Sequence, residues 1–164
     1  MRERSASRFL DQLWTLVRHR VDFIVVGGIA AVFEGAPIVT LDLDVVYERS
    51  LDNRTRLAVA LSEIDARYDD PAGRKLVPDV DKLDTIRNHL LLTDLGGLDV
   101  FSTIGDGLTY EDLLSRSSEY EVRGMRLRVL GLAAIVETKQ FADRDKDRAV
   151  LPILERTLKI KSEG

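Results

Sequence analysis

The stretch VVGGIAAVFEGAPIVTLDLDVVYE, from Val25 to Glu48, decides the fold. It opens with β-branched residues that stop at Gly27 and Gly28. An alanine-rich segment of helical character follows and breaks at Gly35-Ala36-Pro37. The stretch closes with Val39, Leu41, Leu43 and Val45 alternating with Thr40, Asp42 and Asp44. Side chains alternate across a strand, so one face should be apolar and buried, and the other should carry a hydroxyl and two carboxylates. The second face is where the chemistry is expected.

Upstream, residues 5–20 read as an amphipathic helix with Phe9, Leu13, Leu16 and Val17 on one stripe. Arg8, Asp11, Gln12 and Arg18 fall elsewhere, and Trp14 lies beside the stripe in a packing role. The first strand is expected over 21–26, a helix over 29–34, and the second strand over 39–47. Downstream, Ser50 or Asp52 caps a helix carrying Leu57, Ala58, Leu61 and Ile64. Residues 69–79 form a loop with two prolines, and 80–87 a short helix. A hairpin follows, with its turn at Asp94-Leu95-Gly96. Thr109 and Asp112 form a capping pair for another short helix. A second hairpin turns at Arg123-Gly124, and helices are expected over 132–142 and 146–160. Pro152 must lie in a first turn or produce a kink. No internal repeat or low-complexity linker interrupts this order.

With 164 residues, 45% hydrophobic and 32% charged, the chain suits one soluble globular domain. No apolar run reaches about 18 residues, which argues against a membrane span. The charged N-terminus lacks a secretion signal pattern. Cysteine is absent, which excludes disulfides and thiolate chemistry and fits a cytoplasmic protein. His19 and His89 alone are poor material for a histidine metal site or a Ser-His-Asp triad. The net charge is −4 with acids and bases mixed, so extensive duplex binding is not expected. A small anionic ligand held through a divalent cation is compatible with that charge.

Asp42 and Asp44 point the same way on the expected strand, with Cα atoms about 6.5–7 Å apart. Two such carboxylates repel unless a cation lies between them. Hard oxygen donors without histidine or cysteine favour Mg²⁺ or Mn²⁺ over zinc. Asp99, inside the otherwise apolar Leu98–Phe101 segment, is the third candidate, since an unpaired carboxylate there would be costly. An Asp-x-Asp on a strand is more often the wet face of an antiparallel sheet. A strand ending in glycines before a helix adds specificity, because free backbone N–H groups at a helix start bind phosphate.

The ordered combination resembles the nucleotidyltransferase superfamily that includes DNA polymerase β. Within it, the small bacterial and archaeal members and the nucleotidyltransferases of abortive-infection (type IV toxin–antitoxin) systems are most similar. The resembling residues are Gly27-Gly28, then Ile38-Val39-Thr40-Leu41-Asp42-Leu43-Asp44, then Asp99, and near the C-terminus Lys139, Ala142, Arg144, Lys146 and Asp147. The resemblance implies an α/β (α+β) fold, a mixed β-sheet flanked by helices. It implies a single domain with its core over about 20–130 and a helical C-terminal part over about 131–160. It also implies transfer of NMP from an NTP to a hydroxyl on an RNA end, a protein or a small molecule. Asp42 and Asp44 would hold the metal, and Asp99 would complete the site and help deprotonate the acceptor. Gly27, Gly28 and Thr40 would hold the phosphates. Lys139, with Arg144 or Lys146, would approach the triphosphate, unless these cations form a solvated helix end paired with Asp143, Asp145 and Asp147. A cognate antitoxin or a second copy of the chain would supply further acceptor surface, with no membrane involved. One departure stands out: Ile38 occupies the position where the family carries Arg, which removes a bidentate phosphate contact. That motivates an alternative, a noncatalytic nucleotide-binding or toxin–antitoxin interaction module. A metal-dependent phosphohydrolase ranks third.

Overall fold

The computed structural model describes the backbone of residues 2–164 and the side chains from residue 8 onward. In chain order the elements begin α1 (Arg2–Arg18), β1 (Phe23–Val26), α2 (Gly27–Phe33), β2 (Leu43–Tyr47) and α3 (Leu51–Glu63). They continue β3 (Arg67–Tyr68), α4 (Val80–Thr85), β4 (Asn88–Thr93), β5 (Gly96–Phe101), β6 (Thr103–Ile104) and β7 (Leu108–Thr109). The chain ends with α5 (Tyr110–Leu114), β8 (Ser117–Val122), β9 (Met125–Leu130), α6 (Leu132–Ala142) and α7 (Asp145–Glu163). Among the described residues, no helix is long and apolar enough to cross a membrane.

Seven strands form one mixed sheet in the order β3-β4-β5-β2-β1-β9-β8, and β6 and β7 make a small separate ribbon. β2 pairs antiparallel with β1 and parallel with β5, and thus sits at the centre. Alternation sorts the sheet into two faces. Leu43, Val45 and Tyr47 of β2 are fully buried, as are Leu98 and Val100 of β5, while His89 and Leu91 of β4 are closed in beside them. Helix α4 closes this side at Leu83, whose carbonyl accepts a 2.5 Å hydrogen bond from the Tyr47 hydroxyl. Helix α1 covers it further along: Gln12, fully buried, donates to the Gly96 and Gly97 carbonyls at 3.2 and 3.3 Å.

The opposite face carries Asp44, Asp99, Leu90 and Leu92, and helix α2 packs against β2, β1 and β9. The C-terminal helices are fastened there by Glu34, just past the end of α2. Its carboxylate accepts from the Tyr120 hydroxyl (2.5 Å), the Leu132 backbone N–H (3.1 Å) and Lys161 Nζ (3.0 Å). Burial alone would raise the Glu34 pKa, but those donors outweigh it and leave it lowered.

Several expectations need correction. The second strand begins at Leu43, not 39, because β1 ends at Val26 opposite Asp44 and leaves residues 39–42 without a strand on that side. Val39 and Leu41 therefore do not bury; they are 86% and 84% exposed. Trp14 is half exposed instead of packed, and Gln12, expected outside the stripe, is buried. Helix α2 starts at Gly27 itself. Ser50 is the cap of α3, accepting from the Asn53 N–H, so the Asp52 option falls away. Pro152 lies in the interior of α7, beyond its first turn.

Candidate active site

The register of β2 and β5 brings the acidic residues together: Asp44 lies directly beside Asp99. Each carboxyl group bears on the protonation of the other. Burial, then the charge of Asp99, pushes the Asp44 pKa well above the carboxylate range, while Lys146 and Lys139 pull it back. Burial, then Asp42, raises Asp99 as well, with Lys146 again opposing. Asp42, exposed on the segment before β2, turns its carboxylate toward Gly97 of β5.

The glycines make room for this arrangement. Gly27 has φ +66°, and a Cβ there would collide with the Asp44 carboxylate, so both conformation and space require glycine. A Cβ on Gly28 would meet Thr40 Oγ1 at 2.7 Å, and one on Gly97 would collide with the Asp42 carboxylate. The glycine corner, Thr40 and the three aspartates are thus one cluster. Helix α2 has seven residues and no side-chain cap at its start.

A cleft of about 330 Å³ opens beside Asp44 and Gly27. One wall is Arg87, Asn88, Phe101 and the β6 segment; the other is the end of α6, with Lys139 and Phe141, and Arg144 just beyond. Lys139 and Arg144 share one counter-ion, the fully buried Asp147. It accepts from Lys139 Nζ at 3.3 Å, Arg144 Nε at 2.7 Å and the Arg144 backbone N–H at 3.2 Å. Burial would raise the Asp147 pKa, but Arg144 and Lys139 hold it lowered. Arg144 thus both lines the cleft and closes a helix-start pairing. Lys146 has no ion-pair partner among the described residues and acts electrostatically on Asp44 and Asp99. Ile38 is half-buried and packs against the core.

Sequence reading missed Arg87, Asn88, Phe101 and Phe141 as cleft residues. Arg87 Nη2 reaches the Gly105 carbonyl at 2.9 Å, a contact 18 residues away that no local pattern announces. Among the described residues, no three acidic or histidine side chains converge as a ready-made metal cage. The donor chemistry nevertheless fits a hard dication: three carboxylates on adjacent segments, two of them side by side and both driven toward protonation first by burial and then by a neighbouring acid.

Neither a protein-family model nor a curated protein sequence matches the chain. Solved structures do. A Thermotoga maritima protein assigned to the nucleotidyltransferases superposes with TM-score 0.56 at 16% identity, covering 100% of this chain and 96% of its own. The antibiotic-resistance factor ANT(2'')-Ia gives 0.63 at 14%, covering 96% and 86%. The lincosamide antibiotic adenylyltransferase LnuA, solved with lincomycin bound, gives 0.62 at 12%, covering 91% and 95%. The chain has the nucleotidyltransferase fold. In this fold's terms the acidic cluster lies at the centre of the sheet, where β2 meets the glycine corner that starts α2.

Proposed function

We propose that the protein is a divalent-metal-dependent nucleotidyltransferase that moves NMP from an NTP to a hydroxyl acceptor. The observation that carries this reading is the side-by-side placement of Asp44 and Asp99 against Gly27. Two half-buried acids side by side disfavour the resting fold, an arrangement typical of groups kept for their chemistry. Asp42, Asp44 and Asp99 would hold Mg²⁺ or Mn²⁺, which supplies charge neutralisation and activation of the attacking oxygen when bound.

The chain's own residues then divide the work. The Gly27–Gly28 backbone and Thr40 receive phosphate oxygens at the corner. Lys139 and Arg144, held by Asp147, present positive charge to the cleft, and Lys146 adds a cation near the carboxylates. The acceptor oxygen attacks the α-phosphorus, the bond from that phosphorus to the bridging oxygen breaks, and pyrophosphate leaves. Asp99 takes the acceptor proton. The similarity of the fold to two antibiotic-modifying enzymes makes a small-molecule hydroxyl a reasonable acceptor class beside an RNA end or a protein.

The test incubates purified protein with α-labelled NTPs, Mg²⁺ and fractions of RNA, protein and metabolites. Label should move to one fraction with release of pyrophosphate, and Asp42→Ala should abolish it. Nucleotide binding without transfer to any fraction would favour the noncatalytic module, the reading that Ile38 supports by packing its apolar side chain where a phosphate-binding cation was expected. Release of free phosphate alone would favour a hydrolase.

A further inference from the structure

We propose that the cleft contains a nucleobase slot: the base of the donor nucleotide stacks on Phe141, over Phe101, and meets the Asn88 carboxamide with its polar edge. This rests on the transferase reading above and adds the residues that recognise the donor's base. The sheet register places these groups relative to the acids. Asp44 pairs with Asp99, and Phe101 lies two residues beyond Asp99 on β5. Side chains two apart on a strand share a face, with their Cα atoms about 6.5–7 Å apart. Asn88 lies directly opposite Phe101 in the β4–β5 ladder, so it projects to that face as well. A phosphorus held at the acids therefore has an aromatic ring and a carboxamide one step away. A ribose bridges the same kind of gap between the phosphate and the base of a nucleotide.

The cleft joins two chemistries. Lys139, Arg144 and Arg87 line it with positive charge, and Phe101, Ile104 and Phe141 line it with apolar surface. Phe141 stands in the last turn of α6, 60% exposed, on the wall facing Phe101 and Asn88. A lone exposed aromatic side chain is ordinary on a protein surface. One that faces a half-buried phenyl ring across a cleft, one step from two acids, offers a plane for stacking. The two walls meet where Gly105 packs against α6: a Cβ on Gly105 would stand 3.2 Å from Thr138 Cγ2. Asn88 is exposed, and its carboxamide has no hydrogen-bond partner among the described residues. An uncharged group that both donates and accepts suits the edge of a base better than a phosphate, whose oxygens only accept. The phosphates have the cations instead, with Lys146 near Asp44 and Asp99 among them. A flat heteroaromatic ring joined to a polyanion matches both parts of the cleft at once.

The test titrates isotope-labelled protein with adenosine, without metal, and follows the Asn88 carboxamide N–H signals by NMR. Ribose phosphate, which lacks a base, is the control. Adenosine should give saturable shifts in the millimolar range, ribose phosphate should not, and Phe141→Ala should weaken adenosine about tenfold. Calorimetry with Mg²⁺ then compares ATP with tripolyphosphate, which keeps the charge and lacks the nucleoside. Phe141→Ala should weaken ATP about tenfold and leave tripolyphosphate unchanged. Asn88→Ala should narrow the spread of affinities among ATP, GTP, CTP and UTP. Both side chains are exposed, so the variants should fold normally. Absent carboxamide shifts, an equal response to ribose phosphate, equal losses for ATP and tripolyphosphate, or one affinity for all four nucleotides in the parent would overturn the proposal. Label transfer from an NTP, with the Asn88 signals unmoved and ATP affinity unchanged in Phe141→Ala, would sink the slot and leave the transferase. Adenosine binding that is lost in Phe141→Ala, with no transfer of label to any fraction, would sink the transferase and support the slot as a nucleotide-binding site.

Discussion

Strands β2, β4 and β5 present two faces built from residues only one position apart. On the covered face, Leu43, Val45, Tyr47, Leu91, Leu98 and Val100 meet helices and exclude water. On the open face, Asp44, Asp99, Leu90 and Leu92 meet the cleft, each other or solvent. The covered face gains stability with every atom it buries. The open face sets two carboxyl groups side by side, and burial together with a neighbouring acid pushes both toward protonation, an arrangement that adds nothing to stability. Stability and chemistry are therefore separable along a single strand, at alternate residues.

The largest expected effect tests that separation directly. Asp44→Asn should lower NMP transfer about a thousandfold or more, a size typical of removing a group on which charge stabilisation depends. In chelator-containing buffer at pH 8 the same variant should melt at the same temperature as the parent or higher, because a crowded, half-buried carboxyl group can no longer ionise. Calorimetry beside a labelled-NTP assay checks both. A melting point that falls as far as a core truncation would erase the distinction between the faces.

One step along β4, the effects should exchange places. Leu91→Ala removes a side chain only 2% exposed and should cost about 3 kcal/mol, with transfer per folded molecule largely retained. Leu90→Ala, beside it in sequence, should change stability by less than about 0.5 kcal/mol. Denaturant titration of the pair reads the difference.

Helix α6 and its continuation form the remaining wall of the cleft, and there the two roles meet in one residue. Asp147 is fully buried yet holds two cations that line the cleft. Asp147→Ala should raise KM for NTP about tenfold, since Lys139 and Arg144 lose their fixed positions. It should also cost about 1–2 kcal/mol, less than for a sealed ion pair because Arg144 is 58% exposed. Asp147→Asn, which still accepts from the Arg144 N–H groups, should recover part of both losses.

How much of this was legible in sequence follows the range of the physics. Alternation through Leu43–Val45 and the lone polar position at Asp99 are local signals, and the structure places Asp44 and Asp99 side by side. The end of α2 at Gly35 and the capping box at Thr109 and Asp112 are local too, and both are present. Burial of Gln12 was illegible because its partners lie 81 to 85 residues away. The exposure of Val39 and Leu41 depended on where β1 stops, which their own pattern does not encode. The ribbon of β6 and β7 has two-residue strands, too short to show any period. Nothing local to Glu34 signals its work as a clasp, whose partners lie 86 to 127 residues distant.

The smallest expected effect concerns the histidine ring on the covered face. His89 is fully buried. Its Nε2–H donates to the Ile86 carbonyl at 2.9 Å, which leaves Nδ1 to accept from the Tyr68 hydroxyl at 2.6 Å. Protonation would put a second N–H against that hydroxyl and a charge into a closed site, and burial accordingly lowers the His89 pKa. Below about pH 6.5 the unfolded chain binds a proton that the folded chain refuses. The folded state then holds fewer protons, so stability falls as pH falls through that window, by at most about 1.4 kcal/mol per pH unit. His89→Gln keeps a donor and an acceptor but cannot titrate. The difference in stability between parent and variant, measured by urea titration from pH 7.5 to 5.5, should shrink steadily toward acid. The crowded acids of the open face have raised pKa values and act with the opposite sign, but they are common to both proteins and cancel in that difference. A difference independent of pH would mean that the ring is already charged in the fold, and that the covered face is less closed than its burial implies.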